Sequence, residues 1–403
     1  MTVVKDAKNK VKEFWESLDE ITLFNQEKVL EAFQQAKASD YSFSNSTGYG
    51  YNDQGRETLE EIFSIVFKTE AALVRPQIVS GTHAINLCLS VLKPGDHLVS
   101  ISGAPYDTLQ QIIGTRGKEK NSLMNKGIVY EEVSLTEEGK LDYEAIRKVV
   151  TKETRMVMLQ RSRGYSWRPS IPIADIEQAF KVVKAINPEC ICFVDNCYGE
   201  FAEIKEPTEV GANLMAGSLI KNPGGALAPS GGYIVGNHDL VMDCADSLTA
   251  PGLGNQLGAT FGLMRTLMQG FFIAPHVVGQ AMRGAILTAQ VFQDLGYPVS
   301  PRPNEKRTDI IQAIQLGDAE KILAFCKGIQ QASPIDSQFV PVPDLMPGYD
   351  DQVVMAGGTF IQGSSIELSA DAPLRPPYIV YLQGGMSIEH VEIALNRVVK
   401  EFS

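Results

Sequence analysis

The stretch Gly217–Gly236, GSLIKNPGGALAPSGGYIVG, sets one lysine after a small-and-apolar approach and follows it with a run rich in glycine, proline and alanine. A solvated loop lysine needs neither that approach nor the backbone freedom beyond it. The alternative is a reactive amine, because burial disfavours the ammonium, lowers its pKa and leaves a neutral nitrogen able to attack a carbonyl. Lys221 by itself fits both readings, so the segments around it carry the decision.

Upstream, CICFVDNCYGEF (Cys190–Phe201) reads as a buried strand ending in Asp195. A carboxylate at the carboxyl end of such a strand lies where open α/β sheets bind ligands, although a cap or turn residue has the same signature. In IVSGTHAINL (Ile78–Leu87) a strand runs through Ser80, Gly81, Thr82 and His83 into a helix. Free backbone N–H groups, the positive dipole end and the Thr82 hydroxyl suit a phosphate there, and Gly81 admits close approach. Alone, that is an ordinary cap. Together, a phosphate cradle, an aspartate that keeps a pyridine nitrogen protonated and an imine-forming lysine make up a pyridoxal phosphate site.

The surrounding pattern gives the fold class. Short apolar strands, QIVSG, HLVSIS, IVYEEV, RMVMLQRS, CICFVDN, GSLIKN and GGYIVG, alternate with helical patterns, the signature of a mainly parallel α/β sheet covered on both faces. Ala84, Leu87, Cys88, Val91 and Leu92 recur at helical spacing until KPGD stops them. After Ala285 the pattern changes to a helix, a proline-rich connection and the strands QVVMAG, TFIQGSSIELS and YIVYLQGG, which predict a smaller α+β domain. Its closing helix places Ile388, Val391, Leu395, Val398 and Phe402 on one face. The expected division is an N-terminal helical segment and arm over 1–60, a large domain over 61–285 and a small domain over 286–403.

Composition narrows the partners. The 403 residues, 44% hydrophobic and 21% charged, suit a globular chain of two domains. A net charge of −12 argues against nucleic acid and anionic membranes, so an anionic ligand needs a local site. The N-terminal 20 residues read as an amphipathic helix, without the apolar run of a signal peptide. The apolar region from Phe261 to Ala289 is broken by Arg265, Gln269, His276, Gln280 and Arg283, and reads as buried helices rather than a membrane span. The six cysteines form no CxxC pair, which predicts packing rather than metal or disulfides and fits a reducing cytoplasm. GLGNQLG (Gly252–Gly258) imitates a dinucleotide loop, but its third glycine is one residue late and no strand precedes it; an active-site loop or helix entry is the better reading.

SGTHAI, QRSRGY, VDNCYGEF, GSLIKNPGG and SSIELSADAPLR resemble the methionine gamma-lyase-like, aluminium-resistance group within the Cys/Met metabolism enzymes, over nearly the whole chain. The resemblance implies a fold-type I pyridoxal phosphate enzyme with a mainly parallel seven-stranded sheet between helices. It implies Lys221 as the Schiff-base lysine, Asp195 at the pyridine nitrogen, Ser218 on the phosphate with Gly81 and Thr82, and Tyr106 stacked on the ring as proton donor. Tyr49, Tyr51 and Arg56 fall where related enzymes reach a neighbouring subunit's phosphate, implying a homodimer or homotetramer with shared sites, although Arg56 reads equally as the start of a helix with Glu57 and Glu60 beside it. Arg375 matches the arginine for the substrate carboxylate. One segment departs: LQRSRGYSWRPS carries Arg161, Arg163, Tyr165 and Arg168 where related lyases carry an asparagine-containing segment, which suggests a more anionic substrate, contacted by Arg161 and Arg163, or an altered cofactor contact. Ile220 also replaces the hydroxyl residue often found before the lysine.

The activity these readings imply is a carbon–sulfur lyase acting on a small amino acid of the cystathionine or methionine type by β- or γ-elimination. An aminotransferase or aldolase of the same fold, or a pyridoxal phosphate-binding protein without turnover, uses the same Lys221 and Asp195.

Overall fold

The computed structural model describes residues 2–49, 53–117, 119–346 and 349–402. Helices α1 (Thr2–Lys10) and α2 (Lys12–Gln35) lead to α3 (Gln54–Phe67), whose cap Asp53 accepts from the Arg56 backbone N–H at 3.0 Å. There follow β1 (Ala71–Arg75), α4 (Gly81–Leu89), β2 (His97–Ser100), α5 (Asp107–Ile113), β3 (Val129–Glu132), α6 (Tyr143–Val149), β4 (Thr154–Gln160) and α7 (Ile173–Ile186). The large domain closes with β5 (Ile191–Asp195), β6 (Leu214–Ser218), β7 (Gly232–Gly236) and α8 (His238–Leu248). Its seven strands form one sheet in the order β1-β7-β6-β5-β4-β2-β3, with β7 running against the rest. Strands β5, β6 and β7 are buried at every residue. Helices cover both faces, so the central strands are continuous apolar runs rather than alternating ones.

A single helix, α9 (Met264–Asp294), then leads into β8 (Val299–Ser300), β9 (Gln312–Gln315), α10 (Ala319–Ala332), β10 (Asp344–Leu345), β11 (Gln352–Ala356), β12 (Ser369–Pro373), β13 (Ile379–Gln383) and α11 (Ile388–Glu401). The six short strands make an antiparallel sheet in the order β10-β11-β12-β13-β9-β8. Pro275 lies inside α9, where a proline costs about 3 kcal/mol. Phe271, Val278, Leu287 and Phe292 of the same helix are wholly buried; at about 1.5–3 kcal/mol each their burial outweighs the lost backbone bond. A Cβ on Gly284 would stand 2.8 Å from a Val391 methyl, so glycine there lets α11 pack closely on α9.

Several expectations shift. QIVSG is not a strand: β1 precedes Pro76, and the chain from Gln77 to Ser80 is the approach to α4. GSLIKN is a strand only to Ser218, so Lys221 stands three residues beyond β6, before a short 3-10 turn at Asn222–Gly224. TFIQGSSIELS folds as a turn because the Glu367 carboxylate accepts from the Phe360 and Ile361 backbone N–H groups at 2.9 and 3.0 Å, and β12 begins only at Ser369. The expected boundary after Ala285 falls inside α9. From Met264 on, the apolar region Phe261–Ala289 belongs to that one helix, packed against α1, α2 and α11, and no helix among the described residues is long and apolar enough to cross a membrane.

Candidate active site

The carboxyl ends of β4, β5 and β6 lie side by side, with Gln160 paired to Asp195 and Asp195 to Ala216. Over the same edge α4 begins, its cap Ser80 accepting from the His83 N–H at 3.0 Å. A Cβ on Gly81 would meet Cys197 Sγ at 3.2 Å and Ser218 Cβ at 3.3 Å, so the start of α4 is seated directly against the end of β6. Ser218 Oγ is buried there without a hydrogen-bond partner among the described residues. A buried hydroxyl in that state, beside a helix amino terminus, is chemically suited to an anion. The adjoining cavity, about 700 Å³, is lined by Gly81, Thr82, Tyr106, Asp195, Ser218 and Lys221 together.

The three ionisable groups among these, Tyr106, Asp195 and Lys221, are shifted by their surroundings. Asp195 is buried and accepts from the Cys197 N–H at 3.1 Å. Burial pushes its carboxyl up, against the pull of Lys221 and that N–H. Lys221 Nζ stands 3.9 Å from the centroid of the Tyr198 ring. Tyr198 holds φ at 73°, the left-handed region, a strain of order 1–3 kcal/mol in a non-glycine residue. The expectation of a lowered lysine pKa is corrected: burial does lower it, but the acidic groups Cys197, Tyr198, Asp195 and Tyr106 win and hold the ammonium well above its usual value. Tyr106 shares a 2.8 Å hydrogen bond with the Thr82 hydroxyl, and burial pushes its phenol far above the usual tyrosine range. It therefore stays protonated at neutral pH.

The arginines separate. Arg161 does not line the cavity: its buried guanidinium is taken up by Asn196 Oδ1 at 2.8 Å, Gly199 O at 2.9 Å and Glu203 Oε2 at 2.8 Å. The expected substrate contact is thus replaced by bracing of the loop after β5. Arg163 does line the cavity; it donates from Nη1 to Ser300 O at 3.0 Å and Oγ at 3.2 Å, while Nε and Nη2 are buried without partners among the described residues. Arg375 lines the cavity too, but its side chain is half exposed and pairs with Asp351 Oδ2 at 2.8 Å. Arg168 donates to Gln160 O and Ser162 O and ties the departing segment to β4.

Arg56 is likewise spent within its own chain, donating to Gly258 O at 3.2 Å and Gln256 O at 3.1 Å. With Arg75, which donates to Asn255 O at 2.9 Å, it pins the GLGNQLG loop, so Arg56 does not extend as an arm. Tyr49 is 84% exposed and outside the cavity, and Tyr51 lies outside the described residues. The sequence reading missed Gln160, which accepts from the Tyr106 N–H at 2.9 Å. It also missed Tyr198, Tyr349 and Asp371, which line the cavity. VDNCYGEF held a signal for Tyr198, an aromatic three residues past the strand-end aspartate, and SSIELSADAP held one for Asp371, the second of two acids in a buried-looking stretch.

The methionine gamma-lyase profile matches residues 1–403. The uncharacterized protein YnbB of Bacillus subtilis is 51% identical over 384 residues, 95% of this chain and 91% of YnbB. A Listeria monocytogenes structure provisionally named a cystathionine beta-lyase involved in aluminum resistance is 50% identical with a TM-score of 0.97, covering 100% of both chains. The structure of a carbon-sulfur lyase involved in aluminum resistance from Clostridium novyi is 47% identical with a TM-score of 0.96, covering 100% of this chain and 95% of its own.

Proposed function

The chain belongs to the methionine gamma-lyase family, and from that premise we propose that it is a pyridoxal phosphate-dependent enzyme that breaks a C–S bond of a sulfur-containing amino acid. The products are a thiol, a 2-oxo acid and ammonia. The observation carrying this reading is the unpartnered Ser218 hydroxyl beside the start of α4, one strand from Asp195 and in the same cavity as Lys221. That donor set fits the cofactor: Ser218, Gly81 and Thr82 would hold its phosphate, Asp195 its ring nitrogen, and Tyr106 and Lys221 the reacting end. When bound, pyridoxal phosphate supplies an electron sink for the charge that develops at the substrate α carbon.

The protein groups have distinct tasks. Asp195 helps to hold the Lys221 proton, so a cationic partner at Asp195 frees the amine to act as base at the α carbon. Tyr106, neutral and oriented by Thr82, donates its proton to the departing sulfur. Arg163 offers Nε and Nη2 to the substrate carboxylate in a dry setting. β-Elimination then needs one α-proton removed and one thiolate protonated, and water converts the released enamine to the 2-oxo acid and ammonia. We further propose an assembly of two or four copies in which the exposed Tyr49 meets a second copy, and a reducing cytoplasmic setting in keeping with six free, buried cysteines.

Incubation with cystathionine or methionine tests the reading: thiol and ammonia are expected without any added 2-oxo acid. Strict dependence on an acceptor 2-oxo acid would make the protein an aminotransferase and refute it. A borohydride-sensitive absorbance missing from Lys221→Ala is expected as well, and a band that no amino acid perturbs would mark a binding protein instead.

A further inference from the structure

We infer that Asp371 and the tyrosines around it form a second recognition point, which takes an ammonium group carried on the sulfur substituent of the substrate. The inference rests on the lyase reading above and specifies its substrate class: amino acids whose departing thiol bears its own positive charge.

Asp371 belongs to β12 of the small sheet, apart from the residues assigned to proton transfer and cofactor binding. It is buried, yet it lines the cavity. Gln383 donates to its Oδ2 at 3.0 Å, and the Tyr165 hydroxyl also hydrogen-bonds the carboxyl. Tyr165 in turn packs between Tyr349 and Tyr381, with ring centroids at 5.4 and 5.5 Å. Tyr349 and Tyr198 add further aromatic surface to the same cavity.

Both hydrogen-bond donors to Asp371 are neutral, so neither accounts for a charge at this position. An uncharged amide would accept from them equally well, whereas a carboxylate in a water-poor corner costs free energy until a cation joins it. The cationic group that faces it among the described residues is Lys221, whose assigned work lies at the α carbon. A carboxylate set among aromatic faces attracts an ammonium twice, through its own charge and through the negative ring faces. A thioether such as methionine offers that corner nothing.

The corner also titrates. Burial lifts the Asp371 carboxyl to about 6, with Tyr165, Gln383 and Lys221 pulling it down. The other ionisable groups facing it stay neutral there: Tyr165, Tyr198 and Cys326 are pushed up, as are Tyr349 and Tyr381, each to about 12. Cation preference is therefore present above pH about 6 and fades below it.

The test compares S-(2-aminoethyl)-L-cysteine with the nearly isosteric S-propyl-L-cysteine on the holoenzyme at pH 8, reading thiol release. Wild type is expected to favour the aminoethyl compound about 10- to 100-fold in kcat/KM, the range of a hydrogen bond to a charged group. Asp371→Asn is expected to bring the ratio near one, and Asp371→Glu to retain most of it. A wild-type ratio near one, or one that Asp371→Asn leaves unchanged, overturns the inference. Calorimetric binding of both compounds to Lys221→Ala separates the two readings. Tighter aminoethyl binding without wild-type thiol release refutes the lyase reading and keeps this one, while equal binding sinks this one alone.

Discussion

Arg163 and Arg375 both border the cavity, and replacing each discriminates between a guanidinium waiting for a ligand and one already satisfied. Arg163 keeps Nε and Nη2 buried and unpartnered, so a carboxylate there gains two charge-assisted hydrogen bonds of about 1.5–3 kcal/mol each. Their loss, about 3–6 kcal/mol, corresponds to a fall in kcat/KM of roughly 10²- to 10⁴-fold. Arg375 is half exposed and paired with Asp351, where ion pairs contribute about 0–1 kcal/mol, so Arg375→Ala is expected to cost under about fivefold. The assay follows thiol release from cystathionine and from an amino-acid amide lacking the α-carboxylate. Arg163→Gln is expected to depress the carboxylate substrate and to spare the amide. Because Nη1 also braces Ser300, a purely structural effect would lower both substrates and the melting temperature together. A loss under about tenfold for Arg163→Gln, with a loss over about 100-fold for Arg375→Ala, would refute the reasoning.

Three further outcomes are expected. Ser218→Ala removes the unpartnered hydroxyl and weakens pyridoxal phosphate binding about 10- to 100-fold by equilibrium dialysis, the value of one hydrogen bond to a charged group. Tyr106→Phe lowers the elimination kcat about 10²- to 10⁴-fold while leaving the dialysis constant within a few-fold, because it removes a proton donor and keeps the ring. Glu200, hydrogen-bonded by the Tyr233 hydroxyl at 2.7 Å, is lifted by burial from 4.5 to about 8. The folded chain therefore keeps a proton that the unfolded chain loses above pH 4.5, so stability falls as pH rises to about 8, by as much as ~5 kcal/mol at 1.36 kcal/mol per unit. Glu200→Gln is expected to flatten that slope in urea titrations at pH 5 and pH 8, and an unchanged slope would count against a protonated Glu200.

What the sequence disclosed, and what it did not, follows from the range of the forces involved. Asp195, Gly81, Thr82, Ser218 and Lys221 were legible because strand ends and helix starts are local events with local signatures, and a parallel sheet gathers such ends along one edge. The alternation of strands and helices likewise disclosed the sheet, while Pro76 and the Glu367 turn, both local breaks, displaced two expected strands. The arginines were not legible in the same way. Arg161 and Arg163 are two residues apart on the same departing segment, and only tertiary partners 35 to 42 residues away for one, and 137 for the other, decide which is consumed and which is free. Arg56 reads equally as an arm or as the start of a helix; it lies in the first turn of α3, and residues 200 and 202 positions later take up its guanidinium.

Lys221 shows the same dependence in its charge. The apolar tetrad before it suggests a depressed pKa, and burial does act in that direction, but Asp195, Cys197, Tyr198 and Tyr106 reach it from other segments and reverse the sign. The reversal has a chemical use. A lysine held protonated by its acidic neighbours is a poor base; on the proposed reading a cationic partner at Asp195 would lower its pKa and release the free amine. On this argument Asp195→Asn weakens the attraction for the Lys221 proton even with the cofactor absent. The labelled Lys221 amine is then expected to titrate lower by nuclear magnetic resonance than in wild type, and an unchanged titration would show that Asp195 plays no part in holding that proton.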